Sequence, residues 1–168
     1  MNNSKSNYIV FNSIGIIQSP YIKSAPYQPL NEDDGEFVLN LDQAYKKGLK
    51  DLDSFNYIYV IYYLDKAIRS KELEISPPWE NNQQIGVFAS RSPNRPNPIG
   101  LSVVKIKKIV DNKIFISGID AFNGTPILDI KPYLDKLDAK TDANFGWVHT
   151  TDDTEHLNLH IKGIPHAH

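Results

Sequence analysis

At 168 residues, with 40% hydrophobic and 23% charged side chains, the chain is long enough to bury a sizeable core and has the composition of an ordinary globular domain. Its formal net charge of -2 excludes a global attraction to polyanions, so any nucleic acid has to be met by a local patch. The absence of cysteine excludes disulfides, thiolate metal sites and a cysteine nucleophile, and it fits a reducing compartment.

The first residues, Met1 to Ser6, are polar. From Tyr8 to Ser19 the apolar side chains Ile9, Phe11, Ile14, Ile16 and Ile17 predict a strand, with Gly15 marking a bulge or a close backbone approach. Asn12 and Ser13 interrupt that run, which leaves no stretch long enough for a signal peptide or a membrane span. A cytoplasmic protein without a membrane partner is the expectation. The next stretch, Ser19 to Glu36, holds Pro20, Pro26 and Pro29 together with Glu32, Asp33 and Asp34, and is expected to be a loop lining a pocket.

A short strand is predicted over Glu36 to Leu39, followed by a helix capped by Asn40 with Gln43 at the capping-box position. Leu41, Ala44, Tyr45, Leu49 and Leu52 lie close to helical spacing and leave Lys46, Lys47 and Lys50 on the outer side. Those lysines suit a solvated face better than a phosphate contact. Phe55 to Leu64, FNYIYVIYYL, reads as a strand buried on both faces or crossing a barrel, and Asp65 with Lys66 ends it in charge.

The stretch Ile85 to Lys107, IGVFASRSPNRPNPIGLSVVKIK, is the most distinctive in the chain. Apolar runs at Ile85 to Ala89 and Leu101 to Ile106 predict strands on either side of a loop stiffened by Pro93, Pro96 and Pro98. Two of the chain's three arginines, Arg91 and Arg95, lie in this loop. A planar guanidinium on a stiff loop suits a carboxylate or phosphate; the alternative is a surface loop whose arginines pair with nearby acids. Beyond it, a hairpin is predicted around Asp111 and Asn112, with Lys105 and Lys107 on one strand face and Lys108 on the other. Asn123 and Gly124 make a tight turn before a short strand over Pro126 to Ile130, which Lys131 and Pro132 end.

All five histidines, His149, His156, His160, His166 and His168, fall near the C-terminus. The spacing of His156 and His160 is that of a helical metal pair, but Leu157, Leu159 and Ile161 alternate with polar residues as in a half-exposed strand, so no metal site is assigned. The chain has no G-x-G-x-x-G fingerprint, no P-loop, no G-x-S-x-G elbow and no H-E-x-x-H. The residues by themselves define a mostly β single domain with an arginine-bearing anion pocket.

Three segments carry a resemblance: Ser19-Pro20-Tyr21, GVFASRSPNRPNPIG from Gly86 to Gly100, and GTPILDIKPY from Gly124 to Tyr133. Together they are similar to the TrmO/TsaA-like family of S-adenosylmethionine-dependent methyltransferases that act on threonylcarbamoyl-adenosine beside the anticodon of tRNA. The resemblance implies a mostly β fold with one or two short helices, a single-sheeted β-barrel over residues 7 to 138, and a homodimer. Residues 139 to 168 would form an extension comprising a strand and a tail.

The resemblance also implies cofactor contacts at Arg91, Leu101 and the run Ser117, Gly118, Ile119 and Asp120, and, on looser matches, at Pro29 with Leu30 and Asp65 with Lys66. A guanidinium suits the carboxylate of the cofactor, and an aspartate can accept from its ribose diol. Methyl transfer to a weakly nucleophilic nitrogen benefits from a base, for which Asp129 is the candidate; a structural role for Asp129 is the other reading. Arg95, Lys105, Lys107 and Lys131 are candidates for gripping RNA phosphates. The chain departs from the family pattern at Gln83 and Gln84, where a basic residue is usual, and at Asn123, where an aspartate is usual. A methyltransferase of the same fold acting on a small molecule or another RNA, and a non-catalytic cofactor- or RNA-binding barrel, are the competing readings.

Overall fold

The computed structural model describes residues 9–26, 35–70, 72–77, 83–144 and 146–150. Six strands pair in the order β1 (Gly15–Gln18), β2 (Phe37–Leu41), β7 (Lys113–Ile116), β6 (Ile99–Val110), β3 (Tyr57–Tyr63) and β8 (Pro126–Pro132). Pairing of β8 with β1, at Gly15 opposite Ile127 and Ile16 opposite Pro126, returns the order to its start. All the neighbouring pairs are antiparallel. A small separate ladder joins β4 (Glu74–Ile75) to β5 (Ile85–Gly86).

Period-two alternation places the core. In β3 the side chains of Ile58, Val60 and Tyr62 are buried, while Tyr57, Tyr59, Ile61 and Tyr63 face outward. In β6 Gly100, Ser102 and Val104 face inward and Ile99, Leu101 and Val103 face outward. Ile17, Phe37, Leu39, Ile114, Ile116, Ile119 and Ile127 complete the interior, each at most 1% exposed. Burial of an aliphatic side chain of this size contributes roughly 1.5–3 kcal/mol, which makes this shared interior the main source of stability. Gly15 is required by a close approach, because a Cβ there would collide with the carbonyl oxygen of Asn40 on β2. The register slips once between Ile61 and Tyr62 against β8 and once between Ile106 and Lys108 against β7, and such bulges let a short sheet curl.

Several expected elements differ. The first strand is confined to Gly15–Gln18, and β3 alternates between buried and partly exposed positions instead of being buried on both faces. Asn40 belongs to β2, opposite Ile16 and Lys113, so it caps nothing. The helix expected after it is a 3-10 segment, Gln43–Leu49, with Asp42 at its N-cap and no buried residue; only Leu49 and, in a second short turn, Leu52 are tucked against the core. An amphipathic α-helix needs a stripe to bury, and this segment has little of one. Ile85 to Ala89 yields two strand residues and then a 3-10 turn, Val87–Ala89.

The predicted hairpin forms around Asp111 and Asn112, with Asp111 in the left-handed region at φ 57°. Asn112 donates its side-chain amide to the Leu41 carbonyl instead of adopting a positive φ. The single α-helix among the described residues is α1 (Asp135–Asp138). The C-terminal extension contributes a 3-10 turn, Gly146–Thr150, whose Trp147 Nε1 donates to the Ala89 carbonyl at 2.7 Å. The strand expected around Leu157 to Ile161 and four of the five histidines lie outside the described residues, and nothing is described of the His149 side chain.

Candidate functional site

Because the strands alternate in direction, one end of the ring gathers the ends of β1, β3 and β7 and the starts of β2, β6 and β8. The three distinctive sequence segments meet there. Ser19 Oγ donates to the Ala121 carbonyl at 2.8 Å, and its amide donates to Asn123 Oδ1 at 3.3 Å. The Asn123 amide donates to the Tyr21 carbonyl at 2.8 Å, and the Gly124 amide to the Ile17 carbonyl at 2.8 Å. The central loop returns to the same place: the Leu64 amide donates to the Pro98 carbonyl at 2.8 Å. Asn123, at a position where the family usually has an aspartate, still offers a side-chain oxygen as an acceptor.

Asp120 is the half-buried carboxylate of this end. Its Oδ1 accepts from Ser102 Oγ at 2.8 Å and from the Tyr62 hydroxyl at 3.0 Å, and those two hydroxyl oxygens are 2.9 Å apart. Burial holds the Asp120 carboxyl above its ordinary value of 3.8, opposed by the hydrogen bonds from Ser102 and Tyr62 and by the positive charge of Arg91. The Tyr62 hydroxyl is pushed well above its ordinary range, first by its own burial and then by the Asp120 charge. The Tyr62 ring lies over Gly100, its partner on β6, where a Cβ would overlap the ring. The resemblance names neither Tyr62 nor Ser102, and Gly100 only as the end of the central segment; the signal for them in the sequence is a glycine and a serine on the inward side of an otherwise apolar strand.

The other predicted positions are distributed as follows. Arg91 is exposed on the central loop, and Arg95 Nη1 donates to the Ser90 carbonyl at 3.3 Å, bracing the loop from within. Lys66 lies beside Phe122, its Nζ 5.0 Å from the ring centroid and 3.4 Å from the Asn123 carbonyl oxygen, and Asp65 precedes it in the turn that ends β3. Ser117, Gly118 and Ile119 are buried on the approach to Asp120, with Ser117 Oγ accepting from the Lys105 amide at 2.9 Å. Leu101, 61% exposed, points out of the sheet, away from its inward neighbour Ser102. Pro29 and Leu30 lie outside the described residues.

Asp129 and Lys131 form an ion pair at 2.6 Å on the half-exposed side of β8, opposite Ile61 and Tyr59. The structure thus brings Asp65, Lys66, Arg91 and Asp120 to one end and leaves Asp129, Lys131, Leu101, Lys105 and Lys107 on the outer wall. Lys105 and Lys107 are both exposed there, and Lys107 is the extra residue at the β6 bulge. No group of three or more metal-ligating side chains occurs among the described residues, and none of their helices is long and apolar enough to cross a membrane.

The donor set matches a zwitterionic nucleoside: a guanidinium for a carboxylate, an enclosed carboxylate for hydroxyls and backbone groups at strand ends for a base. With no mononucleotide-binding βαβ unit among the described residues, the fold and site define a cofactor-binding β-domain outside the doubly wound class. Residues 16–139 match the model of the tRNA-methyltransferase O N-terminal domain, and the chain belongs to this family of S-adenosylmethionine-dependent methyltransferases. It is 38% identical over 132 residues to an S-adenosyl-L-methionine-binding protein of Archaeoglobus fulgidus, covering 77% of this chain and 93% of that one. It is 40% identical over 92 residues to the human tRNA (adenine(37)-N6)-methyltransferase, covering 54% of this chain and 21% of that protein. Among solved structures, TrmO from Pseudomonas aeruginosa superposes with a TM-score of 0.71 at 31% identity, over 87% of this chain and 64% of that one.

Proposed function

We propose that this protein binds S-adenosylmethionine at the Asp120 end of the ring and transfers its methyl group to the N6 nitrogen of threonylcarbamoyl-adenosine beside the anticodon of tRNA. The reading includes a cytoplasmic homodimer built around a closed barrel. The observation that carries it is that residues of the three family segments meet at the end of the ring that holds Asp120, with the Arg91 charge acting on its carboxylate, in a chain that belongs to the tRNA-methyltransferase O family. Similarity to the human tRNA (adenine(37)-N6)-methyltransferase supports the choice of acceptor.

When bound, the cofactor supplies an electrophilic methyl on a sulfonium; the new bond is N–C, the broken bond is S–C, and sulfur keeps the electron pair. The chain's own work is positioning. Arg91 holds the carboxylate of the cofactor and Asp120 accepts from its ribose hydroxyls. Proline-stiffened backbone from Pro93 to Pro98 keeps Arg91 in place at small entropic cost. The proton released from the acceptor nitrogen needs a base, and Asp129 is the candidate on the strength of its place in the third segment, a role that requires the acceptor to reach the outer wall of β8 where Asp129 stands. Its ion pair with Lys131 has to open for it to take that proton. Arg95, Lys105, Lys107 and Lys131 would meet phosphates of the RNA.

Calorimetric titration with S-adenosylmethionine, followed by methyl transfer to threonylcarbamoylated tRNA in the same preparation, tests the reading. Binding with transfer is the expected outcome; binding without transfer, to any tRNA, would redirect the search to a small-molecule acceptor. An Asp129→Ala protein that retains full transfer would remove Asp129 as the base.

A further inference from the structure

We propose that Tyr62 and Ser102 are positioning residues of the cofactor site, their hydroxyls holding Oδ1 of Asp120 so that its second oxygen, Oδ2, is presented to the ribose hydroxyls of S-adenosylmethionine. This rests on the cofactor reading above and adds two residues to it. Three oxygens, Tyr62 OH, Ser102 Oγ and Asp120 Oδ1, stand within 3.0 Å of one another. Each hydroxyl carries one proton, and an ionised carboxylate carries none. Two protons serve three contacts, and with both directed at Oδ1 that oxygen has its two lone pairs engaged. Accepting from a ligand then falls to Oδ2.

The arrangement is costly as a mere packing solution. Tyr62 is 3% and Ser102 4% exposed, on strand faces whose other inward positions are Ile58, Val60, Val104 and the side-chain-free Gly100. Phenylalanine and alanine would fill the same space without burying hydroxyls, and an enclosed carboxylate is dearer still. Gly100 is the third part: only a residue without Cβ leaves room for the Tyr62 ring to cross β6, which carries its hydroxyl 40 positions along the chain to Ser102. A strand pair that gives up apolar contact to seat one carboxylate is built for what that carboxylate does. The charged and titratable groups facing Asp120 are Tyr62 from β3 and Arg91 from the central loop, and Ser102 from β6 adds a neutral donor.

The test is calorimetry with S-adenosylmethionine from about pH 4.5 to 8 on wild type, Tyr62→Phe and Ser102→Ala. Each variant should bind roughly three- to tenfold more weakly at neutral pH, less than a full hydrogen bond to a charged group because the lost donor touches Asp120 and not the ligand. Each should also move the acid limb of the binding profile to higher pH, because a donor that favours the ionised carboxylate is gone; the ligand's own titration is common to all three proteins. In an Asp120→Asn background the same two changes should have little further effect. Uniform weakening at every pH with an unmoved limb, or unchanged affinity, would overturn the proposal, since a purely structural role predicts no shift of the limb. Should Tyr62→Phe fail to fold, Ser102→Ala decides alone. If wild type itself does not bind, the cofactor reading has failed, and that result is distinct from either variant outcome.

Discussion

The two ends of the ring each hold an aspartate fixed by two side-chain donors, and the pair behave in opposite ways. At the hairpin end Asp111 accepts from Gln43 Nε2 at 2.8 Å and pairs with Lys46 at 2.5 Å, out in solvent. Those partners hold its carboxyl below the ordinary value of 3.8. At the other end Asp120 also has two donors, yet its carboxyl is held above that value because burial outweighs them. Hydrogen bonds decide where water screens, and desolvation decides where it does not. An exposed aspartate tied in this way staples a turn, while a raised carboxyl at a half-buried position is what the cofactor reading assigns to the ribose.

The largest expected difference between the ends is in ligand binding. Arg91→Ala should weaken S-adenosylmethionine about 10- to 100-fold by calorimetry, as expected for a lost charge-assisted bond of roughly 1.5–3 kcal/mol. Asp120→Ala should be at least as severe, whereas Asp111→Ala should leave affinity unchanged. An Asp111→Ala protein with impaired binding would abolish the division between the ends. Next in size is Gly100→Ala, whose added methyl must displace the Tyr62 ring or the β6 backbone. A loss of about 1–3 kcal/mol in urea unfolding is expected from overpacking of this kind, together with weaker cofactor binding.

Stability against pH should then separate the two aspartates by sign. Asp120 has a raised folded-state value, so its contribution is fully present below 3.8 and is lost as pH rises through the raised value. Asp111 has a depressed one, so its contribution is present above 3.8 and disappears as pH falls through the folded value. Asp120→Asn should therefore stabilise the protein near neutral pH, by an amount that shrinks in acid. Asp111→Asn should destabilise it slightly near neutral pH, again with convergence on wild type in acid. Thermal melts of the two variants across pH 3 to 8 measure both, and equal signs would break the comparison. The smallest expected effect is that of Trp147→Phe, which removes the donor to the Ala89 carbonyl. Cofactor affinity should change by no more than about threefold, the size of one partly exposed neutral hydrogen bond, with faster amide exchange around Ala89.

Much of this contrast could be read from the residues. The apolar run FNYIYVIYYL and the β-branched run after Gly100 placed β3 and β6, Asp111-Asn112 placed the hairpin between β6 and β7, and the family resemblance pointed to Arg91 and Asp120. What the one-dimensional pattern did not carry was context of other kinds. Asn40 followed by Gln43 has the look of a capping box, but two neighbouring strands claim Asn40, and β pairing outweighed the local preference. Ile85 to Ala89 is apolar enough for a strand, yet only two of its residues find a partner in β4. Leu101 follows the central segment directly, but the period of two turns its side chain outward. The hydroxyl pair on Asp120 depends on register between β3 and β6, with Tyr62 opposite Gly100 and Val60 opposite Ser102, and register is invisible until the strands are aligned.

The bonds that seat the first segment against the residues just ahead of the third join Ser19 to Ala121 and Asn123, 102 and 104 positions away, and among the described residues the ring returns to β1 through β8. A chain emerging from the ribosome cannot close the ring until its last strand has been synthesised and released. Every earlier intermediate therefore lacks the β1–β8 pairing beside the Asp120 end. Acquisition of ligand affinity during refolding should report the closing step of folding, with no partly assembled species able to sequester the nucleoside beforehand.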